Sequence, residues 1–138
     1  MLFLLLACHL GSSDPLPPAS SPPATVALIT IDTWRVDHFD ERFTPILWTL
    51  AQTGERFTEA YAPVGLTTPS HASMLTGRMP WEHRVEANNH HGYSLDEQTS
   101  VLPDDFPGYK SGAFVSAYPA GPVGGLGRGW DVFDGPAA

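Results

Sequence analysis

Residues 26–31 are apolar or β-branched at every position and read Val-Ala-Leu-Ile-Thr-Ile. A continuous run of this length predicts a strand that is buried on both faces, as in a parallel sheet. Asp32 follows directly, at the end of the predicted strand where open α/β sheets bind their ligands. The pattern therefore favours an α/β fold and makes Asp32 a candidate site residue, although an Asp in this position is also typical of a turn or a helix cap.

A first helix is predicted to begin at Thr44-Pro45 and to end at Gly54, since Pro is favoured at the first helical position and Gly at the end. Phe57 and Tyr61 are predicted to be core residues on a strand that leads to the next helix. Four apolar residues have the spacing of the inner face of the first helix: Ile46, Leu47, Leu50 and Ala51.

A second helix is predicted between the Thr67-Thr68-Pro69 sequence and Gly77. Thr68 is expected as the N-cap, Pro69 as the first helical residue and Gly77 as the left-handed stop. Thr67 then lies just before a helix N-terminus, where backbone N–H groups and the helix dipole favour an anion. A hydroxyl in that position is placed to attack a sulfate or phosphate ester, whereas the simpler interpretation is a capped surface helix.

Composition excludes some function classes. The formal net charge of −8 argues against binding along a nucleic-acid backbone. Cys8 is the single cysteine among 138 residues, so the chain has no disulfide framework and its stability must come from a hydrophobic core. His38 and His83 lack the paired spacing of metal ligands and are predicted to be structural or surface residues.

Three segments, in this order, resemble the sulfatase-like branch of the alkaline phosphatase superfamily: VALITIDTWRVDHF at 26–39, TPILWTLAQTGERFTEAYAP at 44–63 and TTPSHASMLTGRMPWEHRV at 67–85. SGAFVSA at 111–117 and GLGRGWDVFDG at 125–135 are similar to the strand and loop that come next in many such hydrolases. The resemblance implies an α/β fold, with a mostly parallel sheet, helices on both of its faces, and a metal site at the carboxyl ends of the strands.

The sequence departs from the arylsulfatases within that branch. They carry Cys-x-Pro-Ser-Arg, whose Cys, or sometimes Ser, is converted to formylglycine, whereas Thr67 and His71 stand at the Cys and Arg positions here. Their paired aspartates correspond to Asp32 followed by Thr33, and the Lys and His of their Gly-Lys-Trp-His element are absent near residues 115–118. A formylglycine-dependent arylsulfatase is therefore not expected.

The same positions are more similar to nucleotide pyrophosphatase/phosphodiesterases, which use Thr-x-Pro-Asn-His with the Thr as nucleophile. The resemblance implies that Thr67 is the nucleophile and that Asn88 binds a phosphoryl oxygen. His71, one helical turn after Thr67, is placed to orient the site. It also implies that Asp32 and Thr67 are ligands of a divalent metal ion, which would be Zn, Mn, Ca or Mg. Two alternatives stay open, because Asn88 also fits a polar turn and His71 also fits a hydrogen-bonded core histidine.

The predicted function is metal-dependent hydrolysis of a sulfate or phosphate ester of a small molecule, a glycan or a lipid, through Thr67. A metal that contacts the Thr67 oxygen would lower the pKa of the hydroxyl. Residues 26–138 are interpreted as the N-terminal portion of a truncated hydrolase domain, because further Asp and His metal ligands come from far downstream in these families. The alternative is a non-catalytic, surface-tethered binding module with a sulfatase-like fold.

Residues 1–8 resemble a bacterial lipoprotein signal, because an apolar stretch leads to Leu5-Leu6-Ala7-Cys8, which is similar to a lipobox. The stretch is shorter than the roughly 7–15 residues of a usual signal core, and no Lys or Arg precedes it. Residues 9–25 form a Pro/Ser-rich linker, a composition typical of an extended tether. The chain is therefore expected to be exported to the cell envelope and attached to the membrane through a lipid on Cys8.

Cys8→Ser tests this anchor. In a bacterial host, the wild-type chain should fractionate with membranes and incorporate a fatty-acid label, because acyl chains partition into the bilayer. Cys8→Ser should lose both the label and the membrane association, while Ser12→Ala in the linker should keep both. An unlabelled wild-type chain in the soluble cytoplasmic fraction would exclude the anchor.

Overall fold

The computed structural model describes residues 25–88 and 92–136, which fall into two units. The first unit ends at Ala62 and the second begins at Pro63. The predicted lipoprotein signal, with Cys8, and nearly all of the predicted linker lie outside the described residues. Within the described parts, no helix has the length and apolar character needed to cross a membrane.

The first unit is built around Phe39, whose side chain is buried. The centroid of its ring lies 5.7 Å from that of Trp34 and 5.7 Å from that of Trp48. The guanidinium of Arg56 lies 4.9 Å from the centre of the same ring, within the range of a cation–π interaction. Asp40, the next residue, accepts two backbone N–H hydrogen bonds at 2.8 Å and so stabilises the turn that leads to the first α-helix.

Helix α1, Pro45–Ala51, follows a short 3₁₀ helix, Val36–His38. It begins with Pro45, as predicted, and Ala51 is buried. Ile46, however, is 81% exposed, so its placement on the inner face is wrong. The reason is geometric: the side that packs against Phe39 carries Trp48, and residues two apart on a helix do not share a face.

Residues 26–31 do not form the predicted buried strand. They are exposed, and among them Ile29 alone makes a β-bridge. A strand buried on both faces needs partners along its length, and one bridge residue does not provide them. Phe57 and Tyr61 are also exposed and lie outside any strand, so their prediction as core residues is wrong.

Helix α2, Thr67–Thr76, belongs to the second unit and is followed by Gly77 at φ 66°, which is the predicted left-handed stop. The helix begins at Thr67. The prediction of Thr68 as N-cap and Pro69 as first helical residue is therefore wrong by two positions. Pro69 is tolerated as the third helical residue because the first four N–H groups of a helix have no intrahelical partner.

The hydrophobic core of the second unit lies where α2 packs on the chain that follows it. Helix α3, Pro80–His83, contacts α2 and carries His83 into the interior. Leu75 and Tyr93 are partly buried and pack against the core. Among the described residues of this unit, the core consists of five buried side chains: Ala72, Val85, Leu95, Val101 and Leu126. It holds the middle of α2 in place, while polar contacts hold the N-terminus of that helix.

Strands β1, Gly112–Phe114, and β2, Val132–Asp134, form a parallel two-stranded sheet in which Gly112 is paired with Val132. Strand β1 lies inside the segment that was expected to be a strand. Helices together with a short parallel sheet are compatible with the predicted α/β class. The described residues of this unit also include short 3₁₀ helices at Leu102–Asp105, Tyr118–Ala120 and Pro122–Gly124.

Asp131 holds the two strands together where they begin. Its carboxylate accepts a hydrogen bond of 2.7 Å from the backbone N–H of Ser111, and it lies 3.2 Å from the ammonium of Lys110. The Ser111 hydroxyl accepts the backbone N–H of Asp131 in return. The hydrogen bond from the Ser111 backbone, followed by that from Lys110, lowers the pKa of the Asp131 carboxyl below its ordinary value.

Gly124→Ala should destabilise the second unit. A Cβ at this position would lie 2.4 Å from Cγ2 of Thr68, a buried side chain that hydrogen bonds hold in place. Overpacking of this kind costs about 1–3 kcal/mol. Gly65→Ala is the matched control, because a Cβ there meets no atom within 4 Å, and it should leave the free energy of unfolding unchanged or raise it by up to about 1 kcal/mol. Equal urea midpoints for the two variants would contradict the packing.

Candidate functional site

Thr67 occupies the first position of α2, after Leu66 in an extended conformation at φ −123° and ψ 139°. Its side chain is partly exposed. This differs from the expected place just before the helix, but the hydroxyl still lies at the positive end of the helix dipole. The position therefore remains compatible with an anionic ligand.

Asn88 lies at the same helix end. Its Oδ1 accepts a hydrogen bond of 2.9 Å from the backbone N–H of Thr68, the residue after Thr67. The two candidates Thr67 and Asn88, which are 21 positions apart in sequence, are thus brought to one end of α2. Because Oδ1 takes the N–H, the Nδ2 group is the part of this side chain that can donate to a ligand oxygen.

The first turn of α2 offers fewer N–H donors to an anion than its position suggests. The Thr68 N–H is bonded to Asn88, Pro69 has no N–H, and the Ser70 N–H donates to the Leu66 carbonyl at 3.1 Å. The Ser70 bond is the first intrahelical bond of α2, so of the groups that a helix normally leaves open the Thr68 N–H is occupied and Pro69 has none to offer. Asn88 therefore adds an amide donor at a helix end where two backbone positions offer no N–H to a ligand.

His71 is fixed against the first turn. Its Nδ1 lies 2.9 Å from the carbonyl oxygen of Thr67, one helical turn earlier. A carbonyl only accepts, so Nδ1 carries a hydrogen and donates it to Thr67. The ring is half-buried, and its contact with the backbone of Thr67 is compatible with both interpretations, orientation of the site and a hydrogen-bonded core histidine.

Ser70 is the other hydroxyl residue of the motif, and its environment differs from that of Thr67. Its side chain is fully buried, and its Oγ donates to the carbonyl oxygen of Val64 at 2.8 Å. A hydroxyl that is enclosed and already donating is poorly placed to attack a substrate. Burial therefore favours Thr67 over Ser70 as the nucleophile.

Ser73 and His83 form a pair that the sequence did not indicate, with Oγ and Nε2 3.0 Å apart. The backbone N–H of Val85 donates to His83 Nδ1 at 3.1 Å, so Nδ1 is the acceptor and Nε2 carries the hydrogen. His83 therefore donates to Ser73 and does not act as its base. Burial lowers the pKa of His83, which keeps the ring neutral and agrees with the predicted structural role.

Asp32 lies in the first unit, in a turn that follows residues 26–31, and is exposed. Thr33, at φ 54°, has the left-handed conformation that is unusual for a β-branched residue. The turn agrees with one of the two interpretations given to Asp32 above. In residues 25–88 and 92–136, no three His, Cys, Asp or Glu side chains form a group that could hold a metal ion.

Thr68 makes a contact that no sequence pattern predicts. Its hydroxyl donates to the carbonyl oxygen of Pro119 at 2.6 Å, across 51 positions of the chain. A threonine beside a helix start suggests a local cap, and a proline carbonyl carries no sequence signal as an acceptor. The contact could therefore be found only in the folded structure.

Residues 26–106 match the family model described as type I phosphodiesterase/nucleotide pyrophosphatase. Arylsulfatase A of Bos taurus is 42% identical over 74 residues, which cover 50% of this chain and 15% of that protein. N-acetylglucosamine-6-sulfatase of Homo sapiens is 34% identical over 119 residues, which cover 75% of this chain and 21% of that protein.

The uncharacterized sulfatase YdeN of Escherichia coli is 33% identical over 66 residues, which cover 48% of this chain and 12% of that protein. The chain thus spans about a fifth or less of the length of these curated relatives. No solved structure gives a significant match.

The buried His83 should make stability depend on pH. Because burial holds the pKa of folded His83 below its ordinary value of 6.5, the unfolded chain binds a proton that the folded chain excludes as the pH falls below that value. The free energy of unfolding should therefore decrease from pH 7 toward pH 5, by at most about 1.4 kcal/mol per pH unit for this group.

Urea denaturation at each pH measures this slope. His83→Asn keeps an acceptor for the Val85 N–H. It should reduce the dependence of the unfolding free energy on pH by the contribution of one proton. His38→Asn, in the first unit, is the control and should keep the contribution of His83 to this dependence. A slope for His83→Asn equal to that of the wild type would contradict the assignment.

Proposed function

Because the chain belongs to the type I phosphodiesterase/nucleotide pyrophosphatase family, in the sulfatase-like branch of the alkaline phosphatase superfamily, we propose that it carries the nucleophile segment of an ester hydrolase. The proposed substrate is a sulfate or phosphate ester of a small molecule, a glycan or a lipid. The names of the relatives point to sulfate esters and the family description points to phosphodiesters. Both place a tetrahedral anion at the reacting centre. Attachment of the enzyme to the bacterial envelope through Cys8 is a separate proposal.

One contact carries this proposal, the hydrogen bond between Asn88 and the first turn of α2. It brings an amide donor to the helix end where the Thr67 hydroxyl lies. Ester hydrolysis through a covalent intermediate needs such a pair, because the nucleophile must be close to a group that stabilises the negative oxygens of the substrate. Ser70, the competing hydroxyl, is enclosed and bonded elsewhere.

In the proposed reaction, Thr67 Oγ forms a bond to the sulfur or phosphorus atom while the bond from that atom to the ester oxygen breaks. The Thr67 hydroxyl gives up its proton, and the ester oxygen takes up a proton and leaves as an alcohol. Water then displaces Thr67 from the covalent intermediate: its oxygen bonds to the sulfur or phosphorus atom, one of its protons restores the Thr67 hydroxyl, and the product is sulfate, phosphate or, from a phosphodiester, a phosphate monoester. Throughout, Asn88 Nδ2 would donate a hydrogen bond to a non-bridging oxygen, and His71 would hold the carbonyl of Thr67 in place.

A divalent metal ion is part of the proposal. The Asp32 carboxylate and the Thr67 hydroxyl are oxygen donors, the type that Mg, Ca and Mn prefer and that Zn also accepts. They are two ligands, whereas these ions take four or more, so further ligands are expected from outside the described residues. When bound, the ion would lower the pKa of the Thr67 hydroxyl.

Thr67→Ala should reduce turnover of a nitrophenyl sulfate or phosphate by roughly 10³-fold or more in the full-length protein, because the covalent route is lost. The fold should be unchanged, and most of the metal should be retained, because the Asp32 carboxylate and the further expected ligands remain. Thr67→Ser should keep part of the rate, since the hydroxyl survives and a methyl is lost. Acid-quenched wild-type protein should carry a sulfo- or phospho-threonine on the peptide that contains Thr67, as mass spectrometry would detect.

Two further variants separate the role of Thr67 from those of Asp32 and Ser70. Asp32→Ala should lose metal and activity together, because a carboxylate ligand positions the ion. Ser70→Ala should keep its turnover per folded molecule. Near wild-type activity of Thr67→Ala with metal bound, or a label on Ser70, would refute the nucleophile. A wild-type protein that binds sulfate or phosphate esters without turnover or label would support the non-catalytic module instead.

A further inference from the structure

Thr68 directs both of its hydrogen-bond donors away from its own helix. Its backbone N–H donates to Asn88 Oδ1 at 2.9 Å and its hydroxyl donates to the Pro119 carbonyl at 2.6 Å. The side chain is fully buried. The first turn of α2 is thus tied to two distant segments of the chain through one residue, which is directly bonded to Thr67.

The methyl group of Thr68 is equally constrained. Gly124 packs so closely against it that a Cβ on this glycine would lie 2.4 Å from Thr68 Cγ2. Two heavy atoms on Cβ leave a threonine few side-chain rotamers, and here one branch is held by a hydrogen bond and the other by contact with the backbone at Gly124. The first turn of α2 therefore cannot rotate without breaking the bond to Pro119 or colliding with Gly124.

We propose that Thr68 is a positioning residue, which fixes the direction of the Thr67 hydroxyl through its bond to the Pro119 carbonyl. The inference rests on the proposed function, because the orientation of the Thr67 hydroxyl affects the reaction only if Thr67 is the nucleophile. Thr68 has no exposed surface with which to touch a substrate, so its contribution acts through its neighbour. Attack on a tetrahedral centre is sensitive to misplacement of the nucleophile by as little as 1 Å.

If Thr68 had only a structural role, a different experimental result would be expected. Loss of its hydroxyl would then lower stability and leave the rate per folded molecule unchanged. A positioning residue should instead lower kcat with little change in KM, because the binding groups stay in place while the nucleophile loses its direction. The split between kcat and KM therefore separates the two roles.

The experiment compares three variants of the full-length protein. Thr68→Val removes the hydroxyl and keeps the shape, Thr68→Ser keeps the hydroxyl, and Thr76→Val is the matched control. The hydroxyl of Thr76 lies in the same helix and donates to Ala72 at 2.7 Å. Thr68→Val should lower kcat per folded molecule by about 10–100-fold with KM within about threefold, whereas Thr68→Ser should restore most of the rate and Thr76→Val should keep it.

Amide hydrogen exchange gives a readout that does not depend on turnover. The amide of residue 68 should exchange at least about 10-fold faster in Thr68→Val than in the wild type, because the first turn is released, and Thr76→Val should not change it. If Thr68→Val does not fold, Thr68→Ala and Thr68→Ser replace it as a pair that lacks the same methyl and differs in the hydroxyl.

Unchanged kcat together with unchanged exchange at residue 68 would overturn the inference, and so would a loss of rate that Thr68→Ser does not rescue. Failure of the proposed function has a different signature. Thr67→Ala would then remain active, whatever the exchange rate at residue 68.

Discussion

The arrangement of the second unit depends on the two hydrogen bonds of Thr68, which tie the start of α2 to Asn88 and to Pro119. A ten-residue helix is marginal in isolation, because nucleation is costly and few residues follow the first turn. Burial of Ala72 stabilises the middle of this helix. The polar contacts decide where it starts and which side chains lie at that end. The candidate site thus depends on hydrogen bonds that position its groups but are themselves neither made nor broken in the proposed reaction.

Sequence predicted the elements that local chemistry controls. Pro45 and Gly77 bound their helices as expected, because one has a fixed φ and no N–H and the other adopts positive φ without strain. The start of α2 was misplaced by two residues, since a hydroxyl beside a helix can cap it or bond elsewhere. The choice at Thr68 depends on Pro119, which is 51 positions away. No local pattern contains that information.

Residue types alone also left the chemistry of the histidines undecided. Ser73 and His83 are residue types that often form a nucleophile and its base. Here the Val85 N–H donates to His83 Nδ1, so Nε2 carries the hydrogen and donates to Ser73. His71 is fixed by a carbonyl that only accepts. In both cases a main-chain group determines which nitrogen bears the hydrogen. Apolar periodicity was equally insufficient for residues 26–31, because a strand becomes buried only when partners cover it.

Because Thr68 and Pro119 are far apart in sequence, the donor and the acceptor of their hydrogen bond are synthesised at different times. Ribosomes add about 5–20 residues per second, so the acceptor of the Thr68 hydroxyl is synthesised roughly 3–10 s after its donor, given the sequence separation of 51 positions. Throughout that interval the start of α2 exists without the contact that later fixes it. The proposed nucleophile therefore acquires its final orientation only after Pro119, which takes no part in the proposed reaction, has been synthesised.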